Sequence, residues 1–571
     1  MKLKTKNGYF YNESNELVFF RGVSLYGEES VFRNNQSVSA IERPVLSDAR
    51  AHFQRIKSWG FNLVRIPVSW EVIEPVQGSY SQNYLKYISS LIKHAEKEDL
   101  SVQIVFIQEN WGRYAGIGAP TWTMEKIGID LASAAEYARE DNIYSQYISH
   151  TMSTIFFAGN TYLPNLRIDG KPAETLLQNH FIHAVKFLLS GLKDQSNVIG
   201  MDLFGNVNPG FINAPRLDEY KGGGLGLINT PTPFQLMYLS EGNRALVNKS
   251  LVYGGHGITV WKSETGNKQT SLWQKDKSCP FHNEGVWGYD PNGAPILYKP
   301  DYFPRFKKVK DHFEQGYYYP FLQKVQHAVK TPLFYFYEKE PTSKGIPGMI
   351  PSFRLSDSLI EFTGRYIASL FLHPVWKIMI PGRERIKIAL FQFFRKIKKR
   401  HKLPVFISEA GFRLNFRNYK TATSLYNAQA DAFDRMIGPM EKNFLSFSLK
   451  HYIPEPDRGN YSLFMPSLQG VIDADGGRGT RGFSRAWVKR MKGMPVSTSF
   501  DYQKSLFKLA FRSDEETGYC EIFLPPVHFG DGFSVITNAG TYVFHKRTNI
   551  LFFQGEKGVS LYGITIVAEK K

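Results

Sequence analysis

The sequence predicts an α/β protein: a (β/α)8 barrel of the TIM type followed by a C-terminal all-β sandwich domain. Three observations carry that expectation. Short, almost wholly apolar runs alternate with amphipathic helical stretches from the amino-terminus onward, the pattern of parallel strands covered by helices. Eight such strands can be counted, near residues 20, 63, 103, 200, 335, 365, 405 and 448. After Arg490 the texture changes to short strand-like runs separated by Gly and Asn turns.

The elements follow in order. Residues 17–23 form an apolar strand, 49–59 a helix that Gly60 breaks, and 61–67 the next strand. Residues 84–97 read as an amphipathic helix and 100–106 as the third strand. The rhythm resumes with a helix at 181–192 and a strand at 198–203. A long irregular stretch rich in Gly, Pro and Trp then fills about 210–305, an insertion longer than ordinary connections. A helix near 311–330, a strand at 333–337, a weak strand near 365, a basic helix at 383–402 and a strand at 403–408 come next. A helix at 424–440 and a strand at 444–452 close the pattern. The expected division is a barrel over 1–485 and a sandwich over 486–571.

Composition bounds the function. Apolar residues make up 42% and aromatics 15% of the 571 residues, ample for a packed interior, so disorder is not expected. Cys279 and Cys520 are too few and too far apart for a disulfide framework or a metal site. No stretch is long and apolar enough to cross a membrane, and the first residues show no secretory signal. Cytoplasmic residence, or export by a route that reads no N-terminal signal, is expected. The net charge of +18 favours anionic partners, yet no nucleic-acid-binding motif is present. Peripheral contact with an anionic membrane through 367–402 is one use for the charge, since a Trp376-bearing apolar run precedes the basic helix. An ordinary barrel helix with a solvated basic face is the other.

In such barrels chemistry sits where strands end. Glu409 closes the apolar strand PVFIS and precedes AGF; Arg65 lies in the strand LVRIPV, where a guanidinium could hold a carboxylate ionised and oriented.

The run FNLVRIPVSWEVIEPVQGSYSQNYL (61–85) resembles the second strand and following loop of glycoside hydrolase family 5. GIGAPTW (116–122), PVFISEAGF (404–412), GVWGYDPNGAPILYKPDYF (285–303), LFYFYEKEP (333–341) and EIFLPPVHFGDGFSV (521–535) resemble its endoglycoceramidase branch. The resemblance implies cleavage or recognition of a β-glycosidic bond in a glycolipid or oligosaccharide, by a retaining mechanism without metal or cofactor. It places Glu409 at the nucleophile position. It places Arg65, Gln108, Glu109, Trp111, Trp122, Lys450 and Tyr452 in the substrate site. The family's acid/base Glu falls on Asn206 or Asn208, and an amide cannot protonate a leaving group. Lys450 stands where the family has a Trp beneath the sugar.

Three readings follow. One is a glycosidase with a relocated acid, for which Asp202, Glu109, Glu264, Glu338, Glu340 or His256 are candidates. The second is a catalytically inactive relative that binds glycolipid, glycan or membrane. The third is a new transfer or hydrolysis reaction built on Glu409. An open groove lined by Trp111, Trp122, Trp261, Trp273 and Trp287 would suit the second.

Overall fold

The computed structural model describes residues 3–569 except 26–45, 141, 206, 213, 215, 221–224, 254–255, 267–269, 304–311, 339–344, 374, 376–377, 419–425, 455–460, 466–475 and 514–517. Eight parallel strands close into a barrel: β1 (Arg21–Leu25), β2 (Leu63–Val68), β3 (Ser101–Phe106), β4 (Val198–Asp202), β5 (Phe334–Glu338), β6 (Ile350–Ser356), β7 (Phe406–Gly411) and β8 (Ser446–Tyr452). Closure runs through β8 onto β1, with Ser448 opposite Gly22. Gly22 permits the approach there, because a Cβ on it would meet the Leu63 carbonyl oxygen at 2.9 Å.

Seven strands lie where the sequence places them, and the sixth does not. It is Ile350–Ser356, whereas residue 365 follows the short helix Ser358–Thr363. The reason is local. Only eleven residues separate β5 from β6, too few for the covering helix that the alternation leads one to expect, and β6 carries Pro351, Ser352 and Arg354 in place of an apolar run.

Around the barrel lie α1 (Leu46–Ser58), α2 (Gln82–Lys97), α3 (Asn142–Tyr162), α4 (Ala173–Ser190), α5 (Tyr319–Ala328), α6 (Arg383–Arg400) and α7 (Asn427–Lys442). Ser81 caps α2 by accepting from the Tyr84 amide. The basic α6 is a barrel helix: Ile386, Leu390, Phe393, Phe394 and Ile397 are buried, and Lys387 reaches Asp434 of α7 at 3.1 Å. Trp376 lies outside the described residues, and no helix among those described is long and apolar enough to cross a membrane.

The insertion between β4 and α5 is more ordered than its composition suggests. It holds a three-stranded antiparallel sheet (Leu225–Thr230, Ala245–Tyr253, His256–Thr265), the helix Pro233–Leu239 and a two-stranded hairpin.

The C-terminal region packs two antiparallel sheets over Phe507, Phe511, Ile522, Phe553, Tyr562 and Ile566. One sheet also takes in three amino-terminal strands, with Val18 opposite Arg490. Arg485 fastens this region to the barrel: buried, it forks onto Glu441 of α7 with two bonds of 2.9 Å and reaches Asp434 at 2.9 Å.

Candidate active site

The strand β7 shows why Glu409 faces the barrel mouth. Its register slips against both neighbours: Ile407 pairs with Phe353, but Glu409, two residues on, pairs with Arg354, the very next residue of β6. The slip recurs against β8 between Ile407 and Ala410. An extra residue at this point bends the strand and re-aims its side chains. Glu409 retains only 7% of its surface exposed.

Arg65 of β2 is nearly fully buried and uses its whole fork. Its Nη1 donates to Glu409 Oε1 at 3.2 Å, to the Ser408 carbonyl at 2.7 Å and to Ser24 Oγ at 3.1 Å. Its Nη2 donates to Asp202 Oδ2 at 3.0 Å and its Nε to Gln103 Oε1 at 3.0 Å. Four barrel strands besides β2 therefore converge on one guanidinium. The second oxygen of Glu409 faces Arg354 Nε at 3.5 Å and His451 Nε2 at 4.0 Å.

Charge follows from this arrangement. Burial alone would raise the Glu409 carboxyl, but Arg354, the His451 contact and Arg65 outweigh it and hold the group far below the ordinary carboxylate range. Asp202 goes the other way: burial lifts its carboxyl above the usual value against the pull of Arg65 and Arg354, and the charge on Glu409 adds to the rise. Glu409 is thus a fixed anion at neutral pH.

Comparison with known proteins finds relatives among glycoside hydrolases. The model of the glycoside hydrolase family 5 C-terminal domain matches residues 485–566, and that of glycosyl hydrolases family 35 matches residues 42–161. A glucosylceramidase of Rhizopus delemar is 25% identical, over 88% of this chain and 84% of its own length. An ergosteryl-beta-glucosidase of Saccharomyces cerevisiae is 24% identical, over 74% of this chain and 67% of its own. Cryptococcus neoformans sterylglucosidase 1 superposes with a TM-score of 0.87 at 21% identity, covering 100% of this chain and 98% of that one. Endo-glycoceramidase II from Rhodococcus sp. gives a TM-score of 0.57 at 12% identity, covering 99% and 100%. The chain is similar to the endoglycoceramidase-like branch of glycoside hydrolase family 5.

Within that family frame the remaining sequence-predicted residues separate into groups. Lys450 lies near the mouth, where its Nζ donates to Ser356 Oγ at 2.9 Å and to Glu361 Oε1 at 3.3 Å. The Tyr461 ring lies 4.8 Å from the same ammonium, and the Tyr461 hydroxyl donates to the other Glu361 oxygen at 2.6 Å. Gln108 and Glu109 begin the loop after β3. The Gln108 amide donates to the Trp111 carbonyl at 2.5 Å, and Glu109 exchanges backbone bonds with Ile117 at 2.7 Å, closing a tight hairpin.

Three expected sugar contacts prove to be core. Trp111 is buried, with its indole N–H on Thr123 Oγ1 at 3.0 Å. Trp122 is buried edge-to-face against Trp70, with its N–H on the Glu74 carbonyl at 3.2 Å. Tyr452 points out of the barrel toward α1, where its hydroxyl meets His52 Nδ1 at 2.7 Å and Arg55 at 2.9 Å. A large ring beside a helix layer gains more from burial than from a wet groove, which is why loop tryptophans settle inward. Trp273 and Trp287 are buried as well; of the five loop tryptophans only Trp261 is exposed.

Asn208 is committed to its own loop. Its amide donates to Ser149 Oγ at 2.7 Å and its oxygen accepts from the Gly210 amide at 2.9 Å. Asn206, Glu340 and the side chains of Glu338 and His256 lie outside the described residues. Glu264 sits on the insertion sheet beside Arg244 at 3.6 Å. Among the described residues no group of three or more His, Cys, Asp or Glu is placed to hold a metal ion.

Two groups that touch Glu409 escaped the sequence reading, Arg354 and His451. A cation inside a short apolar strand signals a buried anion, but β6 itself went unrecognised, and its arginine with it. Asp202 was weighed only as a substitute acid; at 1% exposure it orients Arg65 instead.

Proposed function

We propose that the barrel mouth takes the β-linked sugar headgroup of a glycolipid and sets Glu409 against its anomeric carbon, while proton delivery to the leaving oxygen is lost. The observation that carries this reading is the Glu409 carboxylate, held ionised by Arg65, Arg354 and His451. A nucleophile of this class needs a fixed anion and an orienting donor set. The names of the relatives, glucosylceramidase and ergosteryl-beta-glucosidase, support a glucosyl headgroup on a lipid as the ligand class.

In the step that Glu409 supports, its oxygen bonds to the anomeric carbon and the bond to the leaving oxygen breaks with its electron pair. A sterol or ceramide alkoxide is too basic to depart without a proton. The family's acid falls on Asn206 or Asn208, and an amide at either position supplies no proton. Dinitrophenolate, by contrast, departs unprotonated, and azide attacks the glycosyl-enzyme without needing a base.

The test is turnover of dinitrophenyl β-glucoside with and without azide, beside a glucosyl lipid. Azide-accelerated release with formation of glucosyl azide, absent in Glu409→Gln, is the expected result. Rapid unassisted cleavage of the glucosyl lipid would show that an acid is still supplied. Headgroup binding with no glycosyl-enzyme under any condition would show a retired enzyme that only binds.

A further inference from the structure

The insertion sheet carries an outer face that an ordinary solvated sheet would not. An antiparallel sheet lying on a core alternates apolar-in with polar-out. Here the inner face is buried through Ser250 and Val252, with Thr230 of the neighbouring strand. On the outer face Leu227 pairs with Leu251 and Leu251 with Ile258, and directly opposed residues share a face, so three aliphatic side chains form one exposed row across three strands. Beside it Lys249 pairs with Trp261, its ammonium 5.9 Å from the indole ring. Ile258 is 76% and Trp261 47% exposed.

Placement gives this face a direction. The sheet belongs to the connection that follows β4, and in such a barrel the connections that follow strands gather at the end where Glu409 opens. The connection after β6 adds exposed Ile378 and Met379 at that same end. Charge says what the face meets. The chain carries +18, and on the sheet Lys249 stands beside the aliphatic row, while Glu264 is matched by Arg244. Aliphatic side chains with an indole and a lysine at their margin are what an anionic bilayer surface takes up, the apolar groups entering the acyl boundary and the ammonium group staying with the headgroups.

We infer that the outer face of the sheet 225–265 docks on an anionic phospholipid bilayer and presents the barrel mouth to the membrane. This is a different surface from the basic helix α6, and it requires no turnover at Glu409.

The test is flotation of the full chain with phosphatidylcholine vesicles, with and without phosphatidylserine, using three variants. Leu251→Ser/Ile258→Ser/Trp261→Ser should bind mixed vesicles roughly tenfold or more weaker than the parent chain. Lys249→Gln should lose about fivefold on mixed vesicles, and nothing on phosphatidylcholine alone. Trp261→Phe should remove a vesicle-dependent blue shift of the emission. Unchanged unfolding curves and an unchanged reaction with soluble dinitrophenyl β-glucoside show that a variant is folded, and they separate failure here from failure of the Glu409 chemistry. Equal vesicle binding by the parent chain and the apolar variant overturns the inference. So does a concentration-dependent dimer that the apolar variant abolishes, since the face would then belong to a second copy.

Discussion

Arg354 Nε lies 3.5 Å from Glu409 Oε2, on the opposite side of the carboxylate from Arg65. Glu409 is therefore gripped from two strands, β6 and β2, and Arg354 is the strongest of the attractions that hold it ionised.

From this grip comes a pH-dependence. A carboxyl with a depressed folded value keeps its contribution at neutral pH and loses it only as pH falls through that low value. Arg354→Met should move the acid limb upward, toward the ordinary carboxylate value of about 4.3. The rate at which a fluorinated glucoside traps Glu409, followed by intact mass against pH, reads this directly. Parent and variant should trap at similar rates near pH 7 and separate below about pH 5. Coincident profiles would mean that Arg65 and His451 suffice.

Arg65 has a second role, in stability. It neutralises Asp202 and Glu409 together, and all three are nearly or fully buried. Arg65→Met takes from Asp202 its ion-pair partner and leaves Glu409 to Arg354 and His451, at a cost of about 3–5 kcal/mol. The loss should deepen as pH rises, because protonation at low pH neutralises the stranded Asp202 and ionisation at high pH charges it. Urea unfolding at pH 5 and pH 8 tests the sign. Arg65→Lys keeps the charge but not the fork, and should lose less.

How much of this was legible depended on whether a strand looked like a strand. β7 and β2 are mostly apolar runs with one charged residue each, and each follows a covering helix, so Glu409 and Arg65 stood out. β6 follows β5 too closely for a helix and interrupts its apolar residues with Pro351, Ser352 and Arg354, so the second clamp on Glu409 stayed hidden. The loop tryptophans failed for another reason. Sequence shows that Trp122 is large and flanked by loop residues, but its contact with Trp70 exists only once the loop after β3 folds back over the loop after β2. The insertion's strands alternate with period two, yet the Gly and Pro around them made the whole segment read as irregular.

Lys398 offers a test of the basic helix. Its ammonium does not face solvent freely: it donates to the Tyr9 hydroxyl and the Asn443 carbonyl, both at 2.8 Å, and burial lowers it from 10.5 to about 8. The unfolded chain therefore binds more protons than the folded one between about pH 8 and pH 10, and stability rises with pH across that window. Lys489 is shifted in the same sense, to about 8, so it shares the slope. Lys398→Gln should flatten the rise without abolishing it, with the change relative to the parent most favourable near pH 7. Denaturation midpoints at successive pH values measure this, and an unaltered slope would place the lysine in water.

The decisive substitution is Asn206→Glu. Asn208 already spends its amide on Ser149 and its oxygen on the Gly210 amide, so a Glu there should loosen the loop and restore nothing. At 206, one of the two positions onto which the resemblance places the family's acid, a carboxyl would supply a proton donor, and general acid catalysis contributes about 10²–10⁴ in rate. Hydrolysis of an alkyl β-glucoside should rise by that factor in Asn206→Glu, dependence on azide should vanish, and the pH profile should gain a basic limb where the new acid loses its proton. Restoration by Asn208→Glu instead would shift the loop's alignment by two residues. No gain from either, with aryl glucoside still turned over, would mean that another group delivers the proton. No gain together with no trapping of Glu409 would mean that the anion held by Arg65 and Arg354 serves binding alone.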